Sequence, residues 1–213
     1  VQYLSMLEGR STDEINQSIR NTNKSIRLKL LEQDEAMVWQ AFSDAVIMGD
    51  SRTVGFSYHE FIPSSRCMAE GGGMIIDVPK YYDQLLAQNP SEVYLNYGMN
   101  DVGLGEWPDA NGYAEVYAKE VENLQKVLPD AEIYVESILP AVGVGLQADP
   151  DYPRIGEYNE ALKEMCENRG YHFIDNTPVA EAHQDWYQED GLHVQKEFYI
   201  FWAMNMLVEV LES

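Results

Sequence analysis

Short apolar runs alternate with amphipathic ones along most of this chain, and that alternation is the strongest constraint on its fold. The segments 45–49 (AVIMG), 92–98 (EVYLNYG), 132–138 (EIYVESI) and 171–175 (YHFID) are rich in Val, Ile and aromatic residues and predict β-strands, with a weaker strand at 66–69 (RCMA). Residues 78–88, 111–128, 154–169 and 194–212, between and after them, carry helical periodicity. Strand-helix alternation implies a mainly parallel sheet covered by helices on both faces, a three-layer α/β/α sandwich. Ligands of such sheets bind beyond the carboxyl ends of the strands.

The first 43 residues stand apart. Ser11 followed by Glu14 forms a capping-box pattern, and Ile15, Ile19, Thr22, Ile26 and Leu30 recur at helical spacing, predicting a helix from Ser11 to about Gln40. The expected organisation is an N-terminal helical arm over 1–43, either packed on the domain or serving as a stalk, and one α/β domain over 44–213. A chain of 213 residues suits that single core.

Charge and cysteine content exclude several classes. With 36 acidic and 14 basic residues the formal net charge is −22, which repels phosphate backbones and anionic membranes, so no nucleic-acid partner is expected. Cys67 and Cys166 are too few for a disulfide framework and lack metal-ligand spacing. The apolar stretch from Phe198 to Leu211 is interrupted by Asn205 and Glu209, and is expected to be a core-facing helix, not a membrane span. No signal peptide is recognisable. A start at Val1 rather than Met is compatible with a trimmed targeting segment, and with a secreted or cell-surface location.

Four features sit where the sheet would place a site. Gly49-Asp50-Ser51 follows the first strand, so Ser51 falls at its carboxyl end; the same residues also suit an ordinary turn with a serine helix cap. Serine needs a base, and the chain has four histidines. His59, His172 and His183 suit surface or strand positions. His193 lies three residues after Asp190 in a glycine-containing turn, a spacing that lets the carboxylate orient the imidazole, although it also fits a plain helix entry. Asn100, in Tyr97-Gly98-Met99-Asn100-Asp101 at a strand end, carries an amide able to donate to an oxyanion or to cap the next segment. Gly71, Gly72 and Gly73 offer unobstructed backbone N–H groups, or simply a flexible loop. Asp149 and Asp151, in a Pro-rich loop without a nearby histidine, read as turn residues and not metal ligands.

In order, "GDS", the glycine block, "GMND" and "DGLH" resemble the SGNH hydrolases, also called the GDSL-type esterase/lipase family, over about residues 44–212. The resemblance implies a flavodoxin-like α/β/α fold and a serine esterase that needs no cofactor. It makes Ser51 the nucleophile, His193 the general base and then acid, and Asp190 the residue that orients His193. The implied oxyanion hole comprises the Ser51 N–H, a glycine N–H and the Asn100 side chain, with spacing back from Asn100 favouring Gly71, then Gly72. Position 52 departs from the family's name motif, since Arg52 stands where leucine is usual.

The reaction so implied is hydrolysis of an ester through an acyl-enzyme. The loops 102–113 and 140–153 should flank the site, with Arg52 and Trp107 as candidate substrate contacts. No long apolar lid segment is evident. The expected substrates are therefore short acyl esters, acetyl above all, of carbohydrates or other polar alcohols. The alternatives are an acyltransferase using the same residues and a catalytically silent carbohydrate-binding module.

Overall fold

The computed structural model describes residue 29, residues 34–104 and residues 107–210. Its centre is a five-stranded parallel sheet in the order β2-β1-β3-β4-β5. The strands are β1 (Ala45–Gly49), β2 (Cys67–Ala69), β3 (Glu92–Asn96), β4 (Glu132–Glu136) and β5 (His172–Ile174). Gly49 pairs with Ala69 on one side and Asn96 on the other, which brings the carboxyl ends of the three strands level.

The alternation of side chains along each strand divides the core in two. Val46 and Met48 of β1, with Val93 and Leu95 of β3, face one layer of helices; Ala45 and Ile47, with Tyr94 and Tyr134, face the other. β1 is buried along its whole length, as a central strand covered on both faces must be. Each fully buried Val, Ile or Met side chain contributes about 1.5–3 kcal/mol relative to exposure.

The first layer is built on α3 (Tyr82–Gln88), α5 (Ala110–Val127) and α6 (Ile155–Arg169). The second is built on α1 (Glu35–Ala41), α2 (Ser51–Tyr58) and α8 (Phe198–Val210). In α8, Phe198, Trp202 and Met206 recur every four residues and are all buried, so the expected core-facing helix is present. Short α4 (Met99–Leu104) and α7 (Thr177–Ala182) complete the set. Among the described residues no helix is long and apolar enough to cross a membrane.

Most expected boundaries hold to within a few residues, and the differences have local causes. The helix expected over 78–88 is split: a 3₁₀ stretch, Ile75–Tyr81, contains Pro79 and gives way to α3. The last helix begins at Phe198 rather than at 194, because Val194 instead bridges Tyr187 in an antiparallel pair. Most of the helix expected over 11–40 lies outside the described residues. What is described of it, Lys29 and residues 34 onward, is helical at Lys29 and again from Glu35, with Asp34 capping α1 by accepting from the Ala36 N–H. Val38 and Phe42 are buried in the second core layer, and Trp39 stacks on Phe61 at 4.4 Å.

Candidate active site

The turn after β1 is shaped by its neighbours. A Cβ at residue 49 would run into Thr53 Oγ1 and lie 2.6 Å from Asn96 O, so only glycine lets β1 enter α2 at this angle. Asp50 is the N-cap of α2, its Oδ1 accepting from the Arg52 N–H at 2.9 Å. Ser51 is the first helical residue, where backbone N–H groups have no intrahelical acceptor.

The histidine reaches this serine from a distant loop. Ser51 Oγ and His193 Nε2 are 2.9 Å apart, although 142 positions separate the two residues in sequence. His193 Nδ1 lies 2.6 Å from Asp190 Oδ2. The other Asp190 oxygen accepts from the backbone N–H groups of Leu192 at 2.9 Å and His193 at 3.0 Å, which fixes the carboxylate within its own turn. Partial burial pushes the Asp190 carboxyl up, but the hydrogen bonds from the His193 ring and from these two N–H groups outweigh it and hold its pKa below the ordinary value. An anionic Asp190 favours the tautomer with the proton on Nδ1, leaving Nε2 to accept from the Ser51 hydroxyl.

The loop holding His193 is itself pinned. Gly191 has φ +67°, and a Cβ there would collide with Val142 O. Gly191 O accepts from the Val142 N–H at 2.8 Å, and Gln188 N–H donates to His193 O at 2.8 Å.

Asn100 and the glycine block meet directly. Asn100 Nδ2 donates to Gly73 O at 3.0 Å. Next to it, buried Asp101 accepts from the Ile75 N–H through Oδ1 at 3.2 Å, giving a second tie between the start of α4 and the block. A Cβ at residue 73 would approach Gly49 O at 3.0 Å, so Gly73 lies against the Ser51 turn; at Gly71 and Gly72 a Cβ would meet nothing within 4 Å. The register sets Gly73 there, since Glu70 follows β2 and donates its N–H to Gly49 O.

Arg52 does not take the role expected of it. It is only 4% exposed, and its guanidinium is spent on the protein: Nη2 and Nε donate to the Asp50 carboxylate at 3.1 and 3.3 Å, and Nη1 donates to Leu139 O at 2.8 Å. Arg52 is thus no substrate contact, because a guanidinium so buried and so satisfied presents nothing to solvent. Trp107 packs at 5.9 Å on Tyr113 and donates its Nε1 hydrogen to Asp101 O at 3.0 Å, holding its own loop to α4.

The remaining candidates are accounted for locally. His59 packs against Phe61 and Tyr199; burial, then the neighbouring Lys196 charge, pulls its pKa down. His183 stacks on Trp186 at 4.6 Å, and His172 lies 3.2 Å from Glu132. Asp149 accepts from the Asp151 N–H at 2.9 Å and Asp151 pairs with Arg154, as turn residues do. An open cleft of about 510 Å³ lined by Gln188, Glu189, Asp190 and Gln195 adjoins the Asp190 side of the site.

A parallel sheet with a serine, a histidine and an aspartate hydrogen-bonded in line at its carboxyl edge defines a class, that of the hydrolytic α/β enzymes. Residues 47–199 match the GDSL-like lipase/acylhydrolase family, and the chain belongs to that family. It is an ester hydrolase. Comparison with curated proteins yielded no match. Among solved structures, a GDSL-like lipase from Bacteroides thetaiotaomicron superposes with a TM-score of 0.64 at 18% identity, over 82% of this chain and 91% of that one. The acetyl xylan esterase AlAXEase gives 0.57 at 21% identity, over 78% and 99%. A carbohydrate esterase family 3 protein from Talaromyces cellulolyticus gives 0.58 at 16% identity, over 78% and 96%. At these identities the likeness concerns the fold.

Proposed function

We propose that this protein hydrolyses short-chain acyl esters, acetyl esters foremost, of carbohydrates or other polar alcohols through an acyl-enzyme on Ser51. The observation that carries the reading is the unbroken line from Ser51 Oγ to His193 Nε2 at 2.9 Å and from His193 Nδ1 to Asp190 at 2.6 Å. Ser51 Oγ attacks the ester carbonyl while its proton passes to His193 Nε2, and the ionised Asp190 stabilises the imidazolium. His193 returns the proton to the departing alcohol oxygen. Water then adds to the acyl-enzyme, giving its proton to His193, and the carboxylic acid leaves as Ser51 regains its hydrogen.

Three donors face the oxyanion in this reading: the Ser51 N–H, the second hydrogen of Asn100 Nδ2, and a glycine N–H. The first Asn100 hydrogen holds Gly73 O, and the amide has two. For the glycine, the spacing favours Gly71, then Gly72; Gly73 lies against the Ser51 turn, but its N–H is engaged by Glu70 O at 3.2 Å.

The substrate class is supported by two fold relatives that are carbohydrate esterases, AlAXEase and the Talaromyces cellulolyticus protein. Each acyl methylene buried in an apolar groove adds up to about 0.8 kcal/mol, so a lipase-type groove would make specificity climb with chain length. The test is a panel of p-nitrophenyl esters from acetyl to dodecanoyl, run on the wild type and Ser51→Ala together. The expected kcat/KM peaks at about two to four acyl carbons, the range a small pocket discriminates. Ser51→Ala folds normally and loses nearly all activity, and a serine-directed phosphonate labels Ser51. A preference for octanoyl or longer esters overturns the substrate class; full activity in Ser51→Ala overturns the nucleophile.

A further inference from the structure

Arg52 replaces the leucine usual after Gly-Asp-Ser, and it is the most completely engaged cation among the described residues near the site. Its fork grips Asp50, the N-cap of the helix that begins with Ser51, and at the same time donates to Leu139 O at 2.8 Å. Leu139 lies in the segment after β4 that runs to the 3₁₀ turn Gly143–Gln147. Three residues on, the Val142 N–H donates to Gly191 O at 2.8 Å, and a Cβ at residue 145 would lie 2.5 Å from that same oxygen. Gly191 stands between Asp190 and Leu192, in the turn that carries His193. A continuous line of bonds thus runs from the serine turn through the Arg52 guanidinium and the 139–142 segment to the histidine turn. From the other side, the Tyr199 hydroxyl donates to Arg52 O at 2.7 Å, fixing the residue's backbone against α8.

We infer that Arg52 is a positioning residue that sets the distance between Ser51 and His193, by clamping the 139–142 segment, and with it the Asp190–His193 turn, to the N-cap of the serine helix. The inference rests on the roles assigned to Ser51 and His193 above. Leucine at this position can make none of the three guanidinium bonds. In this chain a planar, multidentate cation supplies directed bonds. Lysine, with a single ammonium, keeps the charge opposite Asp50 but cannot hold Asp50 and Leu139 O with the same geometry.

The deciding experiment compares wild type, Arg52→Lys, Arg52→Met and the remote control Arg169→Met, whose guanidinium pairs with Glu115 and Glu122 on the surface of the α5–α6 layer. For each, kcat and KM for p-nitrophenyl acetate, the rate of phosphonate labelling of Ser51, and thermal unfolding are measured. Misplacement of the serine–histidine pair lowers kcat and the labelling rate together, by about 10- to 100-fold in Arg52→Met, while KM stays within about threefold. Arg52→Lys falls between that variant and wild type, and Arg169→Met keeps wild-type kcat. Should Arg52→Met fail to fold, a folded Arg52→Lys with reduced kcat and labelling upholds the role, and a folded Arg52→Lys with wild-type kcat overturns it. Unchanged kcat in a folded Arg52→Met, or a rise confined to KM, also overturns it. Failure of the phosphonate to label wild-type Ser51 refutes the nucleophile assignment instead, and is read separately from the Arg52 series.

Discussion

Asn100 shows how much one side chain can hold at once. Its amide ties Gly73 O at 3.0 Å and carries a second hydrogen, which the proposed mechanism directs at the reacting oxygen, while Asp101 beside it anchors the Ile75 N–H. Asn100→Ala removes both the donor and the tie. Loss of one oxyanion donor commonly costs about 3 to 4 kcal/mol in the barrier, so kcat for p-nitrophenyl acetate should fall by about 10²- to 10³-fold with little change in KM. Steady-state kinetics on a variant with a wild-type melting profile checks this. A KM effect with kcat preserved would instead make Asn100 a ground-state binding group.

Among the elements, β4 and α8 meet around an unusual group. Glu136, the last residue of β4, is fully buried, and its carboxyl accepts from Asn96 Nδ2 at 2.8 Å, Asn176 Nδ2 at 2.7 Å and Trp202 Nε1 at 2.9 Å. Burial pushes its pKa up to about 7 from 4.5, against the opposing pull of these three donors. Between those two values the native protein keeps a proton that the unfolded chain has released, so the group's contribution to stability is lost as pH rises from 4.5 to about 7 and is constant above. Over that window the loss amounts to about 3 kcal/mol. Glu136→Gln has no such titration, and Asn96 Oδ1, a buried atom without a partner, can accept from the new amide. Urea unfolding of both proteins at pH 5 and pH 7.5 should show wild type losing stability relative to the variant as pH rises; parallel curves would mean that Glu136 does not titrate in this range.

For the whole molecule the dominant quantity is the net charge of −22. Self-repulsion of that size disfavours compactness, and added salt screens it, the Debye length shrinking from roughly 30 Å at 0.01 M to about 10 Å at 0.1 M. The melting temperature should therefore rise with sodium chloride over this range, as differential scanning calorimetry can follow. The same field disfavours anionic substrates, so kcat/KM for a negatively charged ester should climb with salt more steeply than for p-nitrophenyl acetate. Equal salt dependence for the two esters would show that the site is shielded from the surface charge.

The sequence by itself determined the strand-helix alternation, and with it the parallel three-layer fold, because apolar periodicity is local and each buried strand needs a run such as Val46-Ile47-Met48. It also singled out Ser51, Asn100, Asp190 and His193 as candidates, since turns at strand ends and an Asp-to-His spacing of three are visible along the chain. Short elements such as α4 and α7 escaped it, being too brief to show a period. What only the tertiary structure decided depends on segments far apart in sequence: the meeting of Ser51 with His193, the placing of Gly73 rather than Gly71 against the serine turn, and the burial of Arg52 between Asp50 and Leu139. The physical reason is that a polar side chain's role follows from whether water or protein satisfies it. For Arg52 that is settled by a carbonyl 87 residues away, which no local pattern records.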